Sequence, residues 1–309
     1  MHYRHIGGSK MQYIQVIYNP MAGKREFSNH LDYFLKLYQN QGYDVRIHRT
    51  NNVDDFASFF INRDMFDCAA VMVAGGDGSI NRVVNAMAKE ELEIPLGIIP
   101  AGTANDFASN IGMPTDLRKA IKALSAMEVG YVDFAKINDS YFVNTCCGGL
   151  FSKVSQGVDI ELKNTLGKLA YYIKGVQQLP SFNNLKLKIT SETGTIEDDF
   201  SFFLVVNGAT AAGISHVCKG AKVNDGKMDF IGIKACQITD ITAIFAKFLL
   251  GDHLTDKNVV FFQSDHITIE CVEGPKGYEE TDTDGEKGPK YPLEIQVLKQ
   301  QLPIVMPMT

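Results

Sequence analysis

The 309-residue sequence predicts two domains, an α/β domain built on a parallel sheet and then a mostly antiparallel, β-sandwich-like domain. Three observations predict them. Residues 1–130 alternate short apolar runs with stretches of helical periodicity. Residues 131–302 hold many strand-like runs and only two helical patterns. Glycine-bearing loops follow three first-half strands, and the carboxyl ends of parallel strands are where such sheets bind ligands.

Taken in order, Tyr13–Tyr18 is an apolar, β-rich run ended by Asn19-Pro20. Phe27–Gln41 places Leu31, Phe34, Leu35 and Tyr38 on one helical face, and Gly42 stops it. Tyr43–His48 alternates like a strand, Val53–Asn62 reads as a helix and Ala69–Ala74 as a buried strand. A helix over Asn81–Lys89, a strand over Leu96–Ile99 and a helix over Thr115–Ala126 complete the first domain. Beyond the boundary near 130, strands are expected at Val129–Ile137, Tyr141–Cys147, Leu185–Thr190, Phe200–Val206, Met228–Lys234, Val259–Ser264, His266–Cys271 and Leu293–Leu298. The helical patterns there are Leu162–Leu179 and Ile238–Leu250, and the tail 303–309 is free to return to the first domain.

Composition excludes several classes. Apolar residues make up 45% and charged residues 21%, which fits a soluble globular chain rather than a disordered or fibrous one. With 30 basic and 36 acidic residues the net charge is −6, and no nucleic-acid partner is expected. No apolar run approaches the roughly 20 residues that span a bilayer, and Met1–Lys10 lacks a signal core, so a cytoplasmic protein is expected. The six cysteines form no C-x-x-C and read as reduced thiols. All seven arginines lie in the first 118 residues, which suggests that the two halves do different work.

The candidate chemistry sits in loops. The first is Asn19-Pro20-Met21-Ala22-Gly23; the second is Gly75-Gly76-Asp77-Gly78-Ser79, followed by Ile80-Asn81; the third is Pro100-Ala101-Gly102-Thr103-Ala104-Asn105-Asp106-Phe107-Ala108. Glycine lets a ligand approach bare backbone, and a following helix offers free N–H groups to phosphate. Asp77 either caps that helix or faces phosphate through hydrated Mg²⁺, and Ser79 either caps or binds a phosphate oxygen. Thr103 or Asp106 caps a short helix, or lines the same nucleotide site. The acidic run Glu279–Glu286 is either a solvated turn or holds a carboxylate, Asp284 before Gly285, as a proton acceptor. Asn224-Asp225-Gly226 is a hairpin turn or a hard-cation site. The P-loop and G-x-G-x-x-G patterns are absent.

Asn19-Pro-x-Ala-Gly23, Gly75-Gly-Asp-Gly-Ser79 and Gly102-Thr-Ala-Asn-Asp-Phe-Ala108, in this order, resemble the diacylglycerol kinase catalytic domain family. Within it the chain looks most like the soluble bacterial lipid kinases of the diacylglycerol kinase B type. Gly-Gly-Asp-Gly is shared with NAD kinases and phosphofructokinases, so the implied first domain is similar to theirs. The resemblance implies ATP- and Mg²⁺-dependent phosphoryl transfer to a lipid hydroxyl in a cleft between the domains. It places Asn19, Pro20, Met21, Ala22, Gly23, Thr50, Gly75, Gly76, Asp77, Gly78, Ser79, Ile80, Asn81 and Thr103 around the nucleotide. It puts Asp77 and Asp106 in the Mg²⁺–water network, and Asp225 with the carbonyls of Lys222 and Lys227 on a second, structural Mg²⁺. It makes Asp284 the general base and Glu286 its neighbour. One departure stands out: the family usually has Glu where this chain has Arg82.

A lipid kinase without a spanning helix must work from the bilayer surface. Leu162–Leu179, with Lys163, Lys168 and Lys174, is either an interfacial helix or an amphipathic helix packed on the second domain. The expected setting is the inner face of the membrane, with peripheral contact and a lipid substrate; an edge strand offers a route to a homodimer. An NAD kinase-like activity is the first alternative, opposed by the Asn-Pro-x-Ala-Gly start and the Gly-Thr-Ala-Asn-Asp loop. A catalytically weakened lipid-binding regulator is the second, supported by Arg82 and opposed by Asp77, Asp106 and Asp284.

Overall fold

The structure is a computed structural model that describes residues 12–52, 54–149, 184–275 and 280–308. The predicted Leu162–Leu179 helix lies outside the described residues. The first half comprises β1 (Tyr13–Tyr18), α1 (Leu31–Gln39), β2 (Asp44–Arg49), α2 (Asp55–Phe60), β3 (Cys68–Gly75), α3 (Asp77–Lys89), β4 (Leu96–Pro100), α4 (Asp106–Asn110) and α5 (Leu117–Leu124).

Strands β1–β4 form the parallel sheet, in the order β4-β3-β1-β2. Every residue of β1 is buried, and β3 is buried from Ala70 onward, because helices cover both faces. That is why β3 reads as an unbroken apolar run and β1 as one broken only by Gln15, whose amide donates to the carbonyls of Val16 and Arg46. Strand β2 is the edge and stays largely exposed. Helix α3 carries Ile80, Val83, Val84 and Met87 at helical spacing and buries them in the core with Ile14, Val73 and Ile98. It starts at Asp77, earlier than the apolar periodicity predicts, so Asp77, Gly78 and Ser79 form its first turn.

The second half comprises β5 (Val129–Ile137), β6 (Ser140–Phe142), β7 (Thr145–Gly149), β8 (Leu185–Ser191), β9 (Gly194–Val206), β10 (Met228–Lys234), α6 (Ile238–Leu250), β11 (Val259–Ser264), β12 (His266–Glu273), β13 (Glu280–Thr283), β14 (Glu286–Lys290) and β15 (Leu293–Val305). Its strands pair antiparallel in the order β14-β13-β7-β9-β8-β12-β15, with β10 and β11 joined through β9. Strand β9 shows why Phe202–Val206 is apolar at every position. Phe203 and Val205 face a core with Phe230, Ile267 and Ile295, whereas Phe202 and Val206 face one with Ile241 and Phe245 of α6.

Two strands tie the halves together. In β5, Val132 and Phe134 belong to the first core, while Ala135 and Ile137 belong to the second. The chain therefore passes between cores inside a strand rather than through a linker. Strand β15 pairs antiparallel with β12 and β5, and its end lies parallel to β4 at Ile304 and Leu96. Between Leu298 and Leu302 its register shifts, with Gln300 at φ +50°.

The bulge is held by Asp133, which is fully buried. Its Oδ1 accepts from Gln300 N (2.7 Å) and its Oδ2 from Gly226 N (2.6 Å). Asp133→Ala leaves the buried Gly226 N–H and the part-buried Gln300 N–H without their partner and is expected to cost about 2 kcal/mol, read as a lower urea midpoint. An unchanged midpoint would show that neither bond stabilises the fold.

Candidate functional site

The three glycine-bearing loops converge beyond the carboxyl ends of β1, β3 and β4, and Thr50 follows the end of β2. Asn19 closes its own turn, its side-chain oxygen accepting from Met21 N (2.9 Å). Gly23 has φ +49°, and a Cβ there would overlap the Ala101 carbonyl. A Cβ on Gly102 would overlap the Gly76 backbone. Ala101 N and Gly102 N both donate to Gly75 O (3.0 and 3.1 Å), and Asn105 Oδ1 accepts from Gly102 N (2.9 Å). The loops thus pack backbone on backbone, which suits a ligand read by main-chain N–H groups.

Individual residues differ in what they present. Thr50 is buried, its N and Oγ1 both bonded to Tyr18 O (3.0 and 3.2 Å). Ser79 is tucked against Gly75, and the Ile80 side chain lies in the core, so Ile80 has only main chain to offer a ligand. Pro20 is half-buried. Met21 and Thr103 are exposed at the rim.

Asp77 and Asp106 start adjacent helices, α3 and α4. Asp77 Oδ1 accepts from Phe107 N (3.0 Å), while no described residue donates to its Oδ2. Asp106 is buried, and both its oxygens accept from Gly213 N (2.9 and 3.0 Å), tying α4 to the loop after β9. Among the described residues no three His, Cys, Asp or Glu side chains gather to hold a metal. Asp77 keeps one carboxylate oxygen that could face a hydrated cation.

From Glu280 onward the acidic run lies in the β13–β14 hairpin, and Thr281, Asp282, Thr283 and Asp284 are buried. Asp284 is 4% exposed, with φ +53°, and Gly285 follows at φ +85°. Four donors surround its carboxylate. Asn144 N and Thr145 N give to Oδ1 (2.9 and 2.8 Å); Val143 N and Asn81 Nδ2 give to Oδ2 (2.8 and 2.9 Å). Burial pushes the carboxyl up to about 6 against these hydrogen bonds, which pull it down. Asn81 belongs to α3, so the helix after the second glycine-bearing loop directly grips the acidic turn of the second half. Glu286 pairs with Arg82, also on α3; the two side chains are 32% and 28% exposed.

A ladder of asparagines supports this joint, and sequence reasoning missed it. Asn85 brackets Tyr141, accepting from its N (2.9 Å) and donating to its O (2.8 Å). Asn110 donates to Asn144 Oδ1 (2.7 Å) and accepts from Thr210 N (2.8 Å). Asn207 donates to the carbonyls of Asp133 and Val143 (2.8 and 2.9 Å). The available signal was Asn81 and Asn85 at helical spacing inside an apolar helix. The turn bearing Lys222, Asp225 and Lys227 lies beside the β15 bulge, bonded to Asp133 through Gly226 N; there Asp225 is exposed and accepts from Lys227 N (3.0 Å).

Comparison with known proteins agrees with the two-part fold. The family model for the diacylglycerol kinase catalytic domain matches residues 13–137, and that for the YegS C-terminal NAD kinase beta sandwich-like domain matches 146–306. The chain is 29% identical to the diacylglycerol kinase of Bacillus subtilis (strain 168), over 96% of this chain and 97% of that one. It is 30% identical to the diacylglycerol kinase of Staphylococcus epidermidis, over 95% and 92%. The crystal structure of a diacylglycerol kinase from Bacillus anthracis str. Sterne superposes with TM-score 0.79 at 28% identity, covering 97% of this chain and 98% of that one.

Proposed function

The chain belongs to the diacylglycerol kinase family and is a lipid kinase; from this premise we propose that it transfers the γ-phosphoryl group of ATP to the hydroxyl of diacylglycerol or a related lipid, with Mg²⁺. The observation that carries the reading is the grip of Asn81 on Asp284. It sets a carboxylate of raised pKa directly against the helix whose first turn is Asp77-Gly78-Ser79.

Asn19 to Gly23, Gly75 to Asn81 and Thr103 surround the nucleotide in this proposal, with Thr50 holding the β1 and β2 ends together. Asp77, at the start of α3, and Asp106, at the start of α4, would belong to the water network of a Mg²⁺ ion, which when bound would neutralise phosphate charge. The backbone N–H groups of the packed loops stabilise charge that develops on the transferred group. Asp225 and the carbonyls of Lys222 and Lys227 are the groups that would hold a second, structural Mg²⁺. No helix among the described residues is long and apolar enough to cross a membrane. The lipid is then met at the surface of the inner leaflet, through peripheral contact.

Asp284 serves as the general base. A carboxyl near 6 is ionised at neutral pH yet basic enough to accept a proton from the attacking hydroxyl. To do so it exchanges one of its four donors. Asn81 supplies the donor on a side chain, and its Nδ2 also donates to Tyr141 O (3.0 Å), whereas the three main-chain donors are set by the fold. The saturation of Asp284 also favours a second reading, in which Asp284 orients the turn and the half-exposed Glu286 takes the proton.

The pH profile of kcat/KM separates them. The base must be ionised, so activity falls as pH drops through its pKa, giving an acid limb near pH 6 for Asp284. With Asp284 as base, Glu286→Gln keeps this limb; its disappearance in Glu286→Gln would transfer the role to Glu286. Labelled ATP with a panel of pure lipids tests the activity itself, and the absence of any labelled lipid would refute it.

A further inference from the structure

Arg82 stands one helical turn beyond Gly78 in α3, so the two share a face of the helix. Glu286 reaches across from the β13–β14 turn and lies along that face. Its Oε1 is 2.5 Å from where a Gly78 Cβ would stand, and its Oε2 is paired with Arg82. The carboxylate therefore rests against the first turn of α3, where free N–H groups and the positive dipole end attract anions. The neighbouring carboxylate, Asp77, is instead turned to Phe107 N. Glu286 and an incoming phosphate are drawn to the same turn, and both suit the planar fork of one guanidinium. The pair is about one-third exposed, so its partners can exchange.

We propose that Arg82 sets nucleotide affinity, its guanidinium being shared in competition between Glu286 and the phosphate end of a nucleoside triphosphate. This rests on the lipid-kinase reading of the cleft and adds to it a residue that the family resemblance does not supply, since the family usually has Glu at this position. Arg82 attracts the phosphate; Glu286 repels it and occupies its cation. The two residues therefore act on binding in opposite directions, although they form one ion pair. A purely structural pair would weaken binding or leave it alone whichever partner is removed.

The test is calorimetric titration, without lipid, of a non-hydrolysable ATP analogue with Mg²⁺ into wild type, Arg82→Gln, Glu286→Gln and the double variant. Arg82→Gln is expected to weaken binding about tenfold, the scale of one charge-assisted contact. Glu286→Gln is expected to tighten it several-fold, and that gain should shrink in the Arg82→Gln background. Arg82→Lys, which keeps the charge and loses the fork, should fall between wild type and Arg82→Gln, and serves if Arg82→Gln folds poorly. Weaker binding by Glu286→Gln, or affinities within about twofold of wild type in both single variants, would overturn the proposal while leaving the kinase reading standing. A wild-type protein that binds no nucleotide would overturn both.

Discussion

Asp284→Asn is expected to lower lipid phosphorylation about a thousandfold, within the usual range for removing a general base. It should also destabilise the protein. An asparagine keeps one oxygen for Asn144 N and Thr145 N, but its amide nitrogen then faces Val143 N and Asn81 Nδ2, both donors. Leaving such groups unpaired costs about 1–3 kcal/mol, visible as a Tm lower by a few degrees. The pH dependence carries a sign that identifies the group. The folded carboxyl sits at about 6, above its ordinary 3.8, so the folded protein binds the proton more tightly than the unfolded chain. Ionised Asp284 therefore costs stability above pH 6, and this cost fades as pH falls from about 6 toward 4. Wild type should gain stability relative to Asp284→Asn over that window. Near-wild-type turnover by Asp284→Asn would remove it from the mechanism, and parallel stability curves would remove the buried-carboxylate account.

Gly102→Ala is expected to weaken nucleotide binding by tenfold or more with a smaller effect on folding. The added methyl would overlap the Gly76 backbone, which has no side chain to move aside. The second and third loops must separate, at a cost of about 1–3 kcal/mol for overpacking. That separation breaks the Gly75 carbonyl's bonds to Ala101 N and Gly102 N, the contacts that hold the N–H groups of both loops in place. Titration of the triphosphate analogue into Gly102→Ala measures it. Unchanged affinity would show that the contact between these loops plays no part in forming the site. Gly42→Ala is a useful control for the general effect of a glycine substitution: nothing lies near the added methyl, although φ is +89°.

The legible part of the fold was the part written in periodicity. Strands β1, β3 and β4 and helices α1 and α3 bury complete apolar runs or faces, so their sequences announce them. The β13–β14 hairpin was illegible as strand because Glu-Thr-Asp-Thr has no apolar face to read. Its burial rests on backbone pairing with Cys146 and Cys147 of β7 and on hydrogen bonds to its carboxylates. The start of α3 was hidden for the opposite reason. Glycine and aspartate are poor helix residues, yet they form the first turn of α3, where main-chain N–H groups have no partner within the helix.

For the site, the sequence alone determined the chemistry on offer. Three glycine-bearing loops after parallel strands, Asp77, Asp106 and an acidic turn are local patterns, because turn and helix-start chemistry is local. Only the tertiary structure decided what each carboxylate faces. Asp284 and Asn81 are 203 residues apart in the chain and hydrogen-bonded in space, and Arg82 and Glu286 are 204 apart and paired. No local pattern encodes such contacts: a carboxylate's charge, basicity and freedom to react depend on burial and on donors arriving from distant elements. Identical Asp and Glu letters thus became a helix clamp at Asp106, a saturated buried carboxylate at Asp284 and an arginine-paired, half-exposed one at Glu286.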